Sequence, residues 1–126
     1  MNILFYIAAG GAIGSVARYM STAVVGAVLG TEFPWGILLV NVSGSMILGL
    51  LIELMVPHWT LNMEWRAFLT IGIMGGFTTF SSFSLDTVAL MQRGDFALAA
   101  LYVVGSVVLS VGALFGAMML VRTVFA

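Results

Sequence analysis

Charge is what this chain has least of. Only 7% of its 126 residues are Asp, Glu, Lys or Arg, against about 25% in a soluble domain. Cysteine is absent and histidine occurs once, which excludes a disulfide framework, a thiolate metal site and a cysteine nucleophile. No nucleotide-binding loop, metal-ligand cluster or catalytic triad can be assembled from what remains, so an enzyme is not expected. The net charge of −1 offers nothing to nucleic acid. What is there is apolar: 62% of the residues are hydrophobic. No soluble fold of this size has enough interior to hide that much apolar surface. The chain reads as an integral membrane protein. Its start lacks a basic leader region and a convincing cleavage site, and its apolar run is too long for a signal peptide, so it reads as a retained first helix.

A spanning helix needs about 20 mostly apolar residues. Four segments qualify, roughly residues 3–29, 34–56, 65–91 and 96–124, and together they predict a single all-α transmembrane domain over residues 1–126. The connections are short. Pro34 suits a first helical turn, Pro57 stops the second helix, and Gly94 supplies a tight turn before the fourth. Trp35 marks one interface, and Trp59 with Trp65 the other. Orientation is unresolved by charge. The face shared by the N-terminus, the second loop and the C-terminus carries Arg66 and Arg122, while the opposite face carries Arg93, with Arg18 leaning toward it. Two against two gives the positive-inside rule no preference, which predicts insertion in both orientations.

The most informative stretch is residues 75–84, GGFTTFSSFS, in the middle of the third span. Paired glycines and five hydroxyls do not suit a lipid-facing helix. Polar or non-helical backbone at that depth survives only under cover of protein or beside a water-filled path. The pattern predicts a third helix broken near mid-membrane. Freed backbone carbonyls there suit a cation, and exposed amides and hydroxyls suit an anion. Phe80 and Phe83, one turn apart, have positive ring edges that suit a small anion. Packing of the rings, with the hydroxyls bonded to their own helix, is the plainer account of any one of these residues.

Other polar groups are few. Asn41 is near the middle of the second span, with Ser45 one turn on. It serves either as an interhelical bond or as a donor lining a path. Tyr102, Ser106 and Ser110 recur every four residues and stack on one face of the fourth helix. They form a polar track, or the serines bond back to their own helix. Arg18 lies well inside the first span, where an arginine costs about 3 kcal/mol. It snorkels to the interface or faces a wet vestibule. Small residues four apart (Gly10/Gly14, Gly26/Gly30, Gly72/Gly76, Gly112/Gly116 and Ser45/Gly49) predict close helix contacts within the subunit, between subunits, or both. Four helices can hardly enclose a wet path alone, so an oligomer is expected.

These segments together resemble the Fluc (CrcB) family of bacterial fluoride channels. The resemblance runs the length of the chain through GGAIGSVARY at 10–19, GILLVNVSGSMILG at 36–49 and GIMGGFTTFSSFS at 72–84. It implies four transmembrane helices per subunit and a dual-topology antiparallel homodimer in the bacterial inner membrane, conducting fluoride passively outward. It further implies that Asn41, Phe80, Phe83, Ser81, Tyr102, Ser106 and Ser110 line the fluoride pathway and that Arg18 stands in the vestibule. The backbone carbonyls of Gly75 and Thr78, with their symmetry mates, would hold a structural Na⁺ at the dimer interface. Two positions depart from the usual pattern: Ser82 where relatives often have threonine, and Asp86 where they often have glutamate.

Two other classes compete. Small proton-coupled multidrug exporters are equally short and also insert both ways, but they rely on a carboxylate in the first helix, where this chain has only Arg18. A non-transporting assembly subunit would show no ion flux on its own.

Overall fold

A computed structural model describes residues 2–55 and 60–125. Val56, Pro57 and Trp59, assigned above to the end of the second span, its stop and an interface, lie outside the described residues. Every regular element of the described chain is helical: α1 (Asn2–Leu29), α2 (Trp35–Met55), α3 (Met63–Ala67), a π-helical segment (Phe68–Met74), α4 (Gly75–Phe77), α5 (Phe80–Gln92) and α6 (Phe96–Val124). Among the described residues four stretches are long and apolar enough to cross a membrane: α1, α2, the compound third span Met63–Gln92, and α6. Large apolar side chains on their outer faces, such as Phe5, Val28, Leu85 and Phe115, are exposed, as a lipid solvent allows.

Local chemistry sets the boundaries. Gly30 has φ +85° and Gly94 φ +83°, a region other residues rarely enter, and they end α1 and turn the chain between α5 and α6. Pro34 stands just before α2, its carbonyl accepting the Leu38 amide at 3.2 Å. Asn62 caps α3 by accepting the Trp65 amide at 3.0 Å. The third span therefore starts two residues earlier than its hydropathy indicates, because a cap rather than an apolar residue begins it. The π-helical turns from Phe68 to Met74 have no counterpart in the sequence reading. Such widened turns are rare and concentrate at functional sites.

Two packings organise the bundle: α1 lies along the third span, and α2 lies along α6. Glycine explains the first. A β-carbon on Gly10 would lie 2.9 Å from the Gly72 α-carbon, and one on Gly76 would lie 2.6 Å from the Gly11 carbonyl oxygen. The Gly10/Gly14 and Gly72/Gly76 pairs thus serve contacts inside the subunit. Gly49 does the same against Leu114 and Ala117 of α6. Gly112 and Gly116 meet nothing within 4 Å. The core formed by Leu38, Phe83, Leu90, Ala99 and Tyr102 lies toward the end of the bundle that carries the α1–α2 and α5–α6 loops.

Candidate ion-conducting site

Helical conformation lapses at two residues near the midpoint of the third span. Thr78 has φ −84°, ψ 156° and Thr79 φ −153°, ψ 127°, both extended. In an unbroken helix the Thr79 N–H would return to the Gly75 carbonyl. Here it donates instead to Asn41 Oδ1 at 2.8 Å, and Asn41 Nδ2 donates to the Thr79 carbonyl at 3.0 Å. One amide side chain from α2 therefore takes up the N–H that the helix has released and also bonds the carbonyl of the same residue. Of the two roles open to Asn41, the interhelical bond is present, and one N–H of its amide remains for another acceptor.

The hydroxyls around the break divide by use. Thr79 Oγ1 caps α5, accepting the Ser82 amide at 3.1 Å. Thr78 and Ser84 donate to the carbonyls of Met74 and Phe80 four residues back, at 2.9 and 3.0 Å. Ser81 is exposed, with its hydroxyl 3.3 Å from that of Thr79. The plainer account of hydroxyls bonded to their own backbone thus holds for Thr78 and Ser84.

Beside the break lies an open cavity of about 260 Å³, lined by Asn41, Ser45, Thr78, Thr79, Phe80, Phe83, Ser106, Val107, Ser110 and Val111. It brings together the α2 polar pair, the break, both phenylalanines and two members of the α6 track. The two rings are not equivalent. Phe83 is buried at 9% exposure while Phe80 is 78% exposed, with centroids 5.5 Å apart and planes tilted by 46°. Ser106 is 5% exposed, yet among the described residues its hydroxyl meets no hydrogen-bond partner. Such a group costs about 1–3 kcal/mol unless something polar arrives.

Tyr102, Ser81, Arg18 and Gly75 do not line this cavity. Tyr102 is fully buried against Phe83, centroids 5.1 Å apart, and its hydroxyl donates to Asp86 Oδ2 at 3.1 Å. Arg18 is half-buried on α1. Sequence reasoning passed over Thr79, although a threonine opening a helical run is a cap signal. It left Asp86 without a role, since its partner is 16 residues away on another helix and no local pattern connects them.

A family profile described as "CrcB-like protein, Camphor Resistance (CrcB)" matches residues 5–118. The chain belongs to the CrcB family. CrcB relatives of similar length share about half its residues. The "Fluoride-specific ion channel FluC" of Nitrobacter winogradskyi is 52% identical over 123 residues, covering 98% of each chain. That of Rhodospirillum centenum is 48% identical over 126 residues, covering all of both, and that of Agrobacterium fabrum is 48% identical over 119 residues, covering 94% of this chain and 95% of the relative.

Proposed function

We propose that this CrcB chain is a passive, fluoride-selective channel that carries F⁻ out across the bacterial inner membrane and lowers cytoplasmic fluoride. The observation that carries the reading is the cavity at the break. Neutral donors and aromatic rings meet there at mid-membrane, and a buried serine hydroxyl among them has no partner among the described residues. The matched relatives, named as fluoride-specific channels, point the same way. Stripping a small anion of water costs tens of kcal/mol in a low-dielectric medium, so short-range donors must replace its shell. Asn41, Ser106 and Ser110 supply N–H and O–H groups. Phe83 and Phe80 supply ring edges, which carry positive potential without a buried counter-charge. Chloride, larger and a weaker acceptor, gains less from the same donors. Ser81 extends the donor set at the rim, Tyr102, its one O–H proton given to Asp86, backs the Phe83 ring of the pathway wall, and Arg18 attracts anions to the vestibule.

The cavity is incomplete in one subunit. Its rim residues Phe80, Val107 and Val111 are 78%, 53% and 64% exposed, so a polar groove opens sideways toward lipid. A second copy closes it, and the balanced arginines favour an antiparallel homodimer with two pathways. The Gly75 carbonyl, whose usual amide has turned to Asn41, and the Thr78 carbonyl of the extended segment suit a shared structural Na⁺. A cation held there would offset the dipoles of these carbonyls.

The exporter reading lacks support, since the matched relatives are named channels and α1 carries Arg18 in place of a carboxylate. The deciding experiment is fluoride release from liposomes holding only this protein, followed with a fluoride electrode against a chloride control. Rapid fluoride release with retained chloride is expected, and fluoride-tight vesicles overturn the reading. For topology, two lysines added to one face should inactivate the protein alone and be rescued by a partner biased the other way. Full activity of the single biased protein rejects dual insertion.

A further inference from the structure

Tyr102 is held from a direction that the pathway does not explain. The loop that follows Gly30 turns Phe33 inward, half-buried against the core. The Phe33 ring meets Tyr102 edge-on, with centroids 5.6 Å apart and planes at 87°. Tyr102 also packs on Phe83, at 5.1 Å, and its hydroxyl is bonded to Asp86. The loop is fastened from the other helix pair: Arg93 Nη2 donates to the Glu32 carbonyl at 2.6 Å, and the same nitrogen lies 3.0 Å from Asp95 Oδ2.

Asp86 and Phe83 belong to different spaces. Asp86 lines a second cavity of about 70 Å³ under the loop, shared with Thr31, Glu32 and Arg93. Phe83 lines the larger cavity at the break. Tyr102, bonded to one residue and packed on the other, is the joint between them.

We infer that Phe33 is a positioning residue for Tyr102. Its perpendicular ring holds the phenol so that the hydroxyl stays on Asp86, between the two cavities, and the Arg93–Glu32 bond latches the loop that carries it. The inference rests on the fluoride-channel reading. A ring that merely fills space is replaceable by an aliphatic side chain of similar size. A ring that orients the phenol is not, because a perpendicular edge-to-face contact fixes a direction, and its effect vanishes once the phenol has no hydroxyl to aim.

The test is a mutant cycle in fluoride-loaded liposomes, at a load where Tyr102→Phe still releases measurable fluoride. Phe33→Ala and Phe33→Leu should each slow release about three- to tenfold, the range one aromatic contact supports, while Phe33→Tyr keeps the wild-type rate. In the Tyr102→Phe background, Phe33→Ala should cause no further loss, the signature of coupled residues. Should Phe33→Ala fail to fold, Arg93→Gln loosens the latch with the ring intact. It should slow release in wild type and not in Tyr102→Phe. Wild-type release with unaltered Phe33→Ala, full rescue by Phe33→Leu, or losses that multiply in the double mutant each overturn the positioning role alone. Wild-type vesicles that retain their fluoride overturn both readings.

Discussion

Asn41→Ala separates the structural work of this amide from its contact with an ion. The substitution removes both bonds to Thr79, at 2.8 and 3.0 Å, from a half-buried site. Interhelical bonds in membrane proteins contribute about 0.6–1.7 kcal/mol each, so the variant should lose about 1–3 kcal/mol. Ser45→Ala is the control. It changes the same helix face and the same cavity without severing either bond to Thr79, and should stay within about 0.5 kcal/mol of wild type. Reversible unfolding in mixed micelles titrated with SDS measures the difference, and hydrogen exchange at the Thr79 amide reports the break directly. Faster exchange of that amide with the stated loss is expected. An Asn41→Ala protein of wild-type stability, with the Thr79 amide still protected, would refute the argument that Asn41 holds the helix open.

Three further outcomes follow from the same geometry. Ser106→Ala removes a buried hydroxyl that has no partner among the described residues, so SDS titration should show unchanged or higher stability, by up to about 1–3 kcal/mol, while fluoride release falls. A variant that loses stability would mean the hydroxyl is bonded in the native protein. Phe83→Ile and Phe80→Ile should both cut fluoride flux sharply, but only Phe83→Ile should lower subunit stability, because Phe83 is buried and Phe80 exposed; unchanged efflux in both rejects the ring assignment. Gly14→Ala should destabilise by about 1–3 kcal/mol through overpacking, since its methyl would collide with the Ile73 carbonyl and Phe77 amide. Gly112→Ala, with nothing nearby, should leave the subunit intact, as thermal melting would show.

Much of this protein is legible in its sequence, for physical reasons that can be named. Lipid cannot satisfy backbone groups, so apolar runs of sufficient length must be helices, and four such stretches are present among the described residues. The crowding of Gly, Thr and Ser at 75–84 marked a failure of helix at mid-span, and the dihedral angles lapse inside that window, at Thr78 and Thr79. The α6 periodicity put Ser106 and Ser110 on one face, and both line the cavity. The glycine pairs announced close contacts but not which ones. Spacing describes one helix, whereas the partner is chosen by how several pack.

Apolar length and the placement of a few polar residues alone determined the class, the number of spans and the window of the break, because each follows from the cost of exposing peptide groups to hydrocarbon. Only the tertiary structure decided that Asn41 bonds both the N–H and the carbonyl of Thr79 and that Tyr102 is tied to Asp86. It also decided that Ser106 is buried with no hydrogen-bond partner among the described residues. A hydrogen bond between helices depends on rotation and depth, and those are set by glycine contacts and loop fastening far along the chain from the atoms that finally meet.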